Sequence, residues 1–121
     1  MLEVIVAEDE GQLRDLLAEV LAETGFKVRQ AADGTEALDL LKANPGVSLL
    51  LSDIVMPKMN GYELVEEALK IDPELKVLMM TAYPAHQIPP SALRARAIRT
   101  LTKPFDIDWM RELVIDLVGR P

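Results

Sequence analysis

The sequence has no cysteine among its 121 residues, and its basic residues are outnumbered by acidic ones. Without cysteine the chain cannot form disulfide bonds, thiolate zinc sites or a thiol nucleophile, a composition that suits the reducing cytoplasm. Lys and Arg number 13 against 20 Asp and Glu, which gives a formal net charge of -7. Because a negative field repels phosphate backbones, we expect no direct contact with nucleic acid.

Long hydrophobic runs are missing as well. The first apolar stretch spans only residues 2–7 and is closed by Glu8, Asp9 and Glu10. A secretory signal needs a basic segment followed by about 7–15 apolar residues, and a membrane-spanning helix needs about 20. We therefore expect a cytoplasmic protein with no membrane insertion.

Half of the residues are hydrophobic and 27% are charged, which is the balance of an ordinary globular protein. At this length we predict that residues 1–121 form a single domain. Short apolar runs alternate with stretches whose apolar residues recur at helical spacing. The apolar runs predict five strands, at residues 2–7, 26–31, 47–52, 76–80 and 97–101.

Helix signals lie between and after these strands. Four helices each have one such signal. Gly25 is a stop signal after the first helix, and Asp33, Asn60 and Asp106 are capping residues before the second, third and last helices. The last helix is expected to bury or half-bury Trp109. Between residues 84 and 96, Pro89 and Pro90 disfavour regular helix, so the helix before the fifth strand is expected to be short, late or irregular.

Strands that alternate with helices form a parallel sheet, because each right-handed crossover needs a helix to return the chain. The predicted fold class is therefore α/β, a doubly wound five-stranded parallel sheet with flanking helices. Ligands of such sheets bind beyond the carboxyl ends of the strands. Polar residues stand at four of these ends and predict one shared site: Glu8 and Asp9, Asp53, Thr81 and Lys103.

Three carboxylates in one site repel each other, by about 4 kcal/mol per pair at ~4 Å and an effective dielectric constant of about 20. Neutralising Asp53 is therefore predicted to stabilise the metal-free fold. Oxygen ligands without His or Cys favour a hard cation, and few protein ligands leave room for water and phosphate, which indicates Mg²⁺. An Asp beside Mg²⁺ can attack a phosphoryl group, while Lys103 and Thr81 stabilise the transferred oxygens.

With these residues the sequence resembles the receiver domains of bacterial two-component response regulators. The resemblance rests on motifs that occur in order along the whole chain: Ala7-Glu8-Asp9-Glu10, Ser52-Asp53-Ile54-Val55-Met56-Pro57, Asn60-Gly61, Met80-Thr81-Ala82 and Thr102-Lys103-Pro104-Phe105. It implies a single receiver domain over residues 1–121, with a flavodoxin-like fold and strand order 2-1-3-4-5. The motifs after strands four and five look most like receivers of hybrid sensor kinases or small stand-alone receivers.

The resemblance implies a signalling function. A histidine kinase or a histidine phosphotransfer protein would phosphorylate Asp53 in a Mg²⁺-dependent reaction. Phosphorylation would then switch binding of a downstream protein partner at the face formed by the fourth-helix region, the fifth strand and the last helix. The chain would be a phosphoacceptor that catalyses only its own phosphorylation and dephosphorylation, and not an enzyme with a diffusible product.

The resemblance also implies the ligands of the metal. Asp9, Asp53 and the backbone carbonyl of Val55 would hold Mg²⁺, and Glu8 would act through water.

Around the phosphoryl group the resemblance assigns four more residues. Lys103 would pair with the group, Thr81 would move to hydrogen-bond it, and the small Ala82 would leave it accessible. The peptide bond between Lys103 and Pro104 would be cis, an isomer that is common only before proline.

The sequence departs from the best-known receivers at the switch. Those carry an aromatic residue three positions before the strand-five lysine, which turns inward on activation, whereas this chain has Thr100 there. Thr100 is too small for that role. Tyr83, in the loop after strand four, is a candidate to replace the missing aromatic side chain or to gate access to the site, and simple packing over the loop is the alternative.

Two functions of other classes fit parts of the pattern. A haloacid-dehalogenase-type phosphatase also uses an aspartyl nucleophile and Mg²⁺, but at the first strand, with a second Asp two residues later. Here Val55 stands at that spacing from Asp53, and the chain has no room for a cap domain.

A pseudo-receiver, a phosphorylation-independent interaction module, is the main alternative. The altered switch favours it, whereas the retained acidic residues, Thr81 and Lys103 argue against it.

Overall fold

A computed structural model describes residues 2–82 and 99–121. Its strands are β1 (Glu3–Ala7), β2 (Lys27–Ala31), β3 (Leu49–Asp53), β4 (Lys76–Thr81) and β5 (Arg99–Thr102). Its helices are α1 (Gly11–Thr24), α2 (Gly34–Ala43), α3 (Gly61–Ile71) and α4 (Ile107–Val118). Residues 83–98 lie outside the described part, and with them Tyr83 and the irregular helix predicted around Pro89 and Pro90.

The five strands form one parallel sheet in the order β2-β1-β3-β4-β5. This confirms the predicted fold class and strand order. The register pairs Ala7 with Ser52, and Asp53 with Met80. The residues that follow β1 and those that end β3 and β4 therefore meet at one edge of the sheet.

Alternate side chains of the central strands enter two separate hydrophobic cores, as the two-residue repeat of a strand requires. One core lies between the sheet and helices α2 and α3, and its strand residues include Ile5, Leu50, Val77 and Met79. The other lies between the sheet and helices α1 and α4, and its strand residues include Val4, Val6, Leu49, Leu51, Leu78 and Met80. Both faces of the sheet are thus covered, which explains why the middle residues of these strands are apolar.

The predicted helix signals are confirmed at all four positions. Gly25 follows α1 with a φ of 116°, a left-handed conformation that glycine adopts readily. The Asp33 side chain accepts a hydrogen bond from the amide of Glu36 in the first turn of α2, and the Asp106 side chain accepts from the amides of Asp108 and Trp109 in the first turn of α4. Before α3, Asn60 and Glu63 form a complete capping box, in which each side chain accepts a hydrogen bond from the other residue's backbone N–H.

Apart from small shifts at the ends of the other strands, two sequence predictions of local structure are wrong in the described part of the chain. β3 begins at Leu49 instead of residue 47, because the amide of Val47 donates to the carbonyl of Asn44 in the turn after α2. Val47 is buried by packing and not by strand pairing, and an apolar pattern does not distinguish the two. Trp109 is 56% exposed, since α4 turns the neighbouring Met110 into the core.

Within residues 2–82 and 99–121, no helix is long and apolar enough to cross a membrane.

Candidate functional site

The first group of polar residues lies in the loop from β1 to α1, residues 8–10, which we call the acidic loop. The amide of Glu8 donates to the carbonyl of Ala31 at 3.0 Å, so its backbone continues the pairing of β1 with β2. Its side chain is buried, whereas Asp9 is exposed. The Glu10 side chain caps α1 by accepting hydrogen bonds from the amides of its first turn, at 3.1 and 2.8 Å.

The second group begins with Asp53, the last residue of β3, which is buried. The chain continues into residues 54–60, the β3–α3 loop, which begins with Ile54. The Ile54 amide donates to the carbonyl of Met80 at 3.1 Å, and its own carbonyl accepts from the amide of Gly61 at 2.7 Å. The backbone on the carboxyl side of Asp53 is therefore fixed to both β4 and α3.

Glu8, Asp9 and Asp53 each offer one carboxylate oxygen, and the three oxygens lie within 4.8 Å of one another. The prediction that the sheet edge brings these carboxylates together is thus confirmed. All the ligand atoms are oxygens, two of the three residues are buried, and Asp9 leaves the group open to solvent on one side. This donor set fits a hard divalent cation such as Mg²⁺, which keeps several water ligands.

Lys103 provides the positive charge of the site. Its Nζ donates to Glu8 Oε1 at 2.8 Å and to Asp53 Oδ2 at 3.0 Å. Its backbone N–H donates to the carbonyl of Thr81 at 2.7 Å, which ties the residue after β5 to the end of β4. The peptide bond between Lys103 and Pro104 is cis, as the resemblance implies.

Burial and charge shift the pKa values of the Glu8–Lys103 pair. Burial raises the pKa of Glu8 above 4.5, and the nearby charge of Asp53 adds to this, although hydrogen bonds from Lys103 and from the Glu10 amide oppose it. For Lys103, burial lowers the pKa, but the hydrogen bonds and charges of Glu8 and Asp53 outweigh burial and raise it above 10.5. Lys103 is therefore a permanent cation at neutral pH.

Of the other predicted site residues, the structure describes Thr81, Ala82, Val55 and Thr100. Thr81 ends β4 with a buried side chain, and Ala82 follows it at the exposed edge. Val55 lies two residues after Asp53, and it is 70% exposed. Thr100 is exposed on β5, where it pairs with Met79, two residues before the end of β4. Tyr83 lies outside the described residues.

The sequence reasoning missed one residue of the site, Arg14. Its guanidinium Nη1 donates to the backbone carbonyl of Glu8 at 2.9 Å, so α1 also fixes the acidic loop. A signal was available, because a basic residue four positions after the helix-capping Glu10 lies on the first turn of the helix, within reach of the preceding loop.

Comparisons with known proteins agree with this geometry. The family model of the response regulator receiver domain matches residues 4–115. The chain is 37% identical to the response regulator receiver protein CpdR of Brucella abortus, over 97% of this chain and 94% of that protein. It is 35% identical to sporulation initiation phosphotransferase F of Bacillus subtilis, over 92% of this chain and 89% of that protein.

Solved structures give the same result. The response regulator TrrA of Thermotoga maritima, whose crystal structure is a complex with Mg²⁺ and BeF, superimposes with a TM-score of 0.82. The two chains are 32% identical, and the match covers 97% of this chain and 99% of TrrA.

Proposed function

Because the chain belongs to the response regulator receiver domains of two-component systems, we propose that it accepts a phosphoryl group on Asp53 in a Mg²⁺-dependent reaction. The observation that carries the proposal is the arrangement around Asp53. Its buried carboxylate stands within 4.8 Å of two other carboxylates and 3.0 Å from the ammonium group of Lys103. A nucleophilic oxygen, a set of cation ligands and a fixed positive charge thus converge on one point.

In the proposed step, a carboxylate oxygen of Asp53 forms a bond to phosphorus while the bond from phosphorus to a donor histidine nitrogen breaks. The histidine nitrogen keeps the electron pair of that bond, and Asp53 becomes an acyl phosphate. When bound, Mg²⁺ supplies positive charge to the carboxylates and to the oxygens in transfer. The residues that would hold it are Asp9, Asp53 and the carbonyl of Val55, with Glu8 acting through water.

The remaining residues of the site orient the phosphoryl group. Lys103, already in contact with Asp53 Oδ2, pairs with the oxygens of the group attached there. The Thr81 hydroxyl moves to hydrogen-bond the same oxygens. Ala82 is exposed and has only a methyl side chain, so it leaves room for the donor to approach and for water to hydrolyse the product.

The function requires partners on both sides of the reaction. The phosphodonor is a histidine kinase or a histidine phosphotransfer protein, and the chain, a single receiver domain over residues 1–121, works in the cytoplasm. It is a signalling phosphoacceptor that catalyses only its own phosphorylation and dephosphorylation. For the downstream protein partner, the described part of the proposed face consists of β5 and α4. The exposed Trp109 supports this assignment, since it lines a surface cavity of about 360 Å³ together with Thr100 and Phe105.

The test is the intact mass of the protein after incubation with acetyl phosphate and MgCl₂. We expect one added phosphoryl group on the wild type, and none on Asp53→Asn or after removal of divalent cations. Asp39→Asn, which removes one exposed carboxylate from α2, is the matched control and is expected to be phosphorylated like the wild type.

The same experiment distinguishes the pseudo-receiver. Absence of an adduct would contradict the proposal, provided that beryllofluoride with Mg²⁺ also leaves the protein unchanged. Partner binding that is the same for the wild type and Asp53→Asn would then identify a phosphorylation-independent module. An adduct that hydrolyses before it can be weighed would still show itself as beryllofluoride binding that requires Asp53.

A further inference from the structure

The β3–α3 loop is held in place by two glycines from different helices. A Cβ atom at Gly61, the first residue of α3, would lie 2.5 Å from the carbonyl oxygen of Asp53 and 2.7 Å from the Cα of Ile54. A Cβ atom at Gly34, the first residue of α2, would lie 2.8 Å from the Cβ of Met59 and closer still to its carbonyl oxygen. Real side chains do not approach backbone this closely, so both positions require glycine.

An ion pair joins α2 to the same loop. Asp33, the N-cap of α2, accepts a hydrogen bond from the amide of Glu36 through Oδ1 at 2.8 Å. Its other oxygen, Oδ2, lies 3.4 Å from Nζ of Lys58. Lys58 has a φ of 69°, and it is the sole non-glycine residue with positive φ in the part of the chain that the structure describes. The residue of the loop that has a positive φ is therefore the one that Asp33 contacts.

We propose that Gly34 and the Asp33–Lys58 ion pair position the β3–α3 loop, and with it the carbonyl of Val55, for binding of the divalent cation beside Asp53. The inference rests on the proposed function, because it takes the Val55 carbonyl as a ligand. None of these three residues belongs to the carboxylate group of Glu8, Asp9 and Asp53. They are positioning residues that act on the cation through the backbone of the loop.

The physical reason is the geometry that Mg²⁺ demands. Its ligands must lie close to the corners of an octahedron at about 2.0–2.1 Å, so a carbonyl displaced by a few tenths of an ångström binds poorly. Gly61 contacts the beginning of the loop at Ile54, and Gly34 contacts its end at Met59, so the two glycines fix both ends of the loop that carries this carbonyl. Residues that hold metal ligands in place typically change metal affinity by about 10- to 100-fold when they are substituted.

The first experiment measures the dissociation constant of Mg²⁺ by isothermal titration calorimetry on Gly34→Ala. The methyl group must displace the backbone at Met59, and we expect the dissociation constant to rise by about tenfold or more. The matched control is Gly11→Ala, the same substitution at the first residue of α1. There a Cβ atom meets only the guanidinium of Arg14, at an ordinary 3.6 Å, and we expect an unchanged dissociation constant.

The second experiment uses two variants that fold without a steric clash. Asp33→Asn keeps a side-chain oxygen that can cap α2, but it removes the ion pair, and Lys58→Met removes it from the other side. If the pair positions the loop, both variants weaken Mg²⁺ binding by a few-fold. A long-range electrostatic effect would instead change the Mg²⁺ affinities of the two variants in opposite directions. Asp33→Asn loses a negative charge near the cation and would bind it more weakly, whereas Lys58→Met loses a positive charge and would bind it more tightly.

The outcomes separate the two proposals. Weaker Mg²⁺ binding by Gly34→Ala and by both ion-pair variants supports the positioning role. Folded Gly34→Ala with wild-type Mg²⁺ affinity, or ion-pair variants that shift affinity in opposite directions, overturns it and leaves the phosphoacceptor function standing. If Gly34→Ala does not fold, the ion-pair variants decide. A wild type that binds no Mg²⁺ overturns both proposals.

Discussion

Two loops meet at the candidate site, and they are held by different forces. The acidic loop is held by polar side chains: Glu10 caps α1, Arg14 donates to the carbonyl of Glu8, and the Glu8 carboxylate accepts from Lys103 and from the amide of Glu10. The β3–α3 loop is held mainly by backbone contacts at Gly34 and Gly61 and by backbone hydrogen bonds to β4 and α3, to which the Asp33–Lys58 ion pair adds a side-chain contact.

The difference predicts how each loop responds to substitution. A hydrogen bond contributes about 0.5–1.5 kcal/mol net, or about 1.5–3 kcal/mol when one partner is charged, and water or a shorter side chain replaces part of it. A close backbone contact has no such substitute, since an added methyl group must displace the main chain. Substitutions in the acidic loop should therefore lower the free energy of unfolding by graded amounts. In the β3–α3 loop, a single added carbon atom should already cause a large loss.

The largest expected effect is that of Gly61→Ala. Its methyl group would overlap the carbonyl of Asp53, and overpacking of this kind lowers the free energy of unfolding by up to about 3 kcal/mol. Urea denaturation of the variant and of Gly11→Ala measures the difference, and we expect little change in the control. A loss below about 1 kcal/mol would show that the loop adapts, and the contrast between the two loops would disappear.

A smaller effect of opposite sign is expected for Asp53→Asn in Mg²⁺-free buffer. The variant keeps a side-chain oxygen for Lys103 and relieves the repulsion from Glu8 and Asp9. We expect a gain of about 1 kcal/mol, which raises Tm by about 4 °C for a domain of this size. Thermal unfolding with Asp39→Asn as the charge-matched control measures it, and Mg²⁺ should reduce the gain. A lower Tm than the wild type in metal-free buffer would contradict the prediction.

Because the pKa of Glu8 is raised, the free energy of unfolding of the metal-free protein depends on pH. Burial raises that pKa above 4.5, so the native state binds the proton more tightly than the unfolded state. In Mg²⁺-free buffer the contribution of Glu8 to the free energy of unfolding therefore falls as the pH rises from about 4.5 through the raised pKa. Asp53→Asn weakens this dependence without removing it, because burial is the larger cause of the shift.

The charged part of the site was predictable from the sequence, because parallel strands bring their carboxyl ends to one edge. Alternation of apolar runs and helices is enough to place Asp53 next to Glu8 and Asp9, and to bring Lys103 to them from the end of β5. The helix caps were predictable for a similar reason, since each cap is a contact between residues at most four positions apart.

The supports of the β3–α3 loop were not predictable. The glycine after Asp33 has the same sequence context as any glycine at a helix start, and its contact with Met59 depends on how closely α2 approaches the loop. The prediction that Trp109 is buried or half-buried was wrong for a related reason. Adjacent residues on a helix point about 100° apart, so an apolar pair such as Trp109 and Met110 does not show which side chain faces the core.

The smallest expected effect concerns Arg14. It tests the prediction that substitutions in the acidic loop have graded effects on stability. Arg14→Met removes the hydrogen bond to the carbonyl of Glu8 and a positive charge near the acidic loop. Because water can replace part of this half-buried hydrogen bond, the substitution should lower the free energy of unfolding by only about 0.5 kcal/mol. Arg14→Lys keeps the charge without the planar guanidinium, and should fall between the wild type and Arg14→Met. Urea denaturation at constant ionic strength measures all three proteins.

The order of the three stabilities decides whether the acidic loop behaves as its contacts indicate. A graded series means that charge and hydrogen bonding contribute separately, as expected for a loop fixed by polar side chains. If Arg14→Lys were as unstable as Arg14→Met, the guanidinium geometry would be essential. If both lost as much stability as Gly61→Ala, the acidic loop would be as intolerant of change as the β3–α3 loop, since one side chain would then determine its whole conformation.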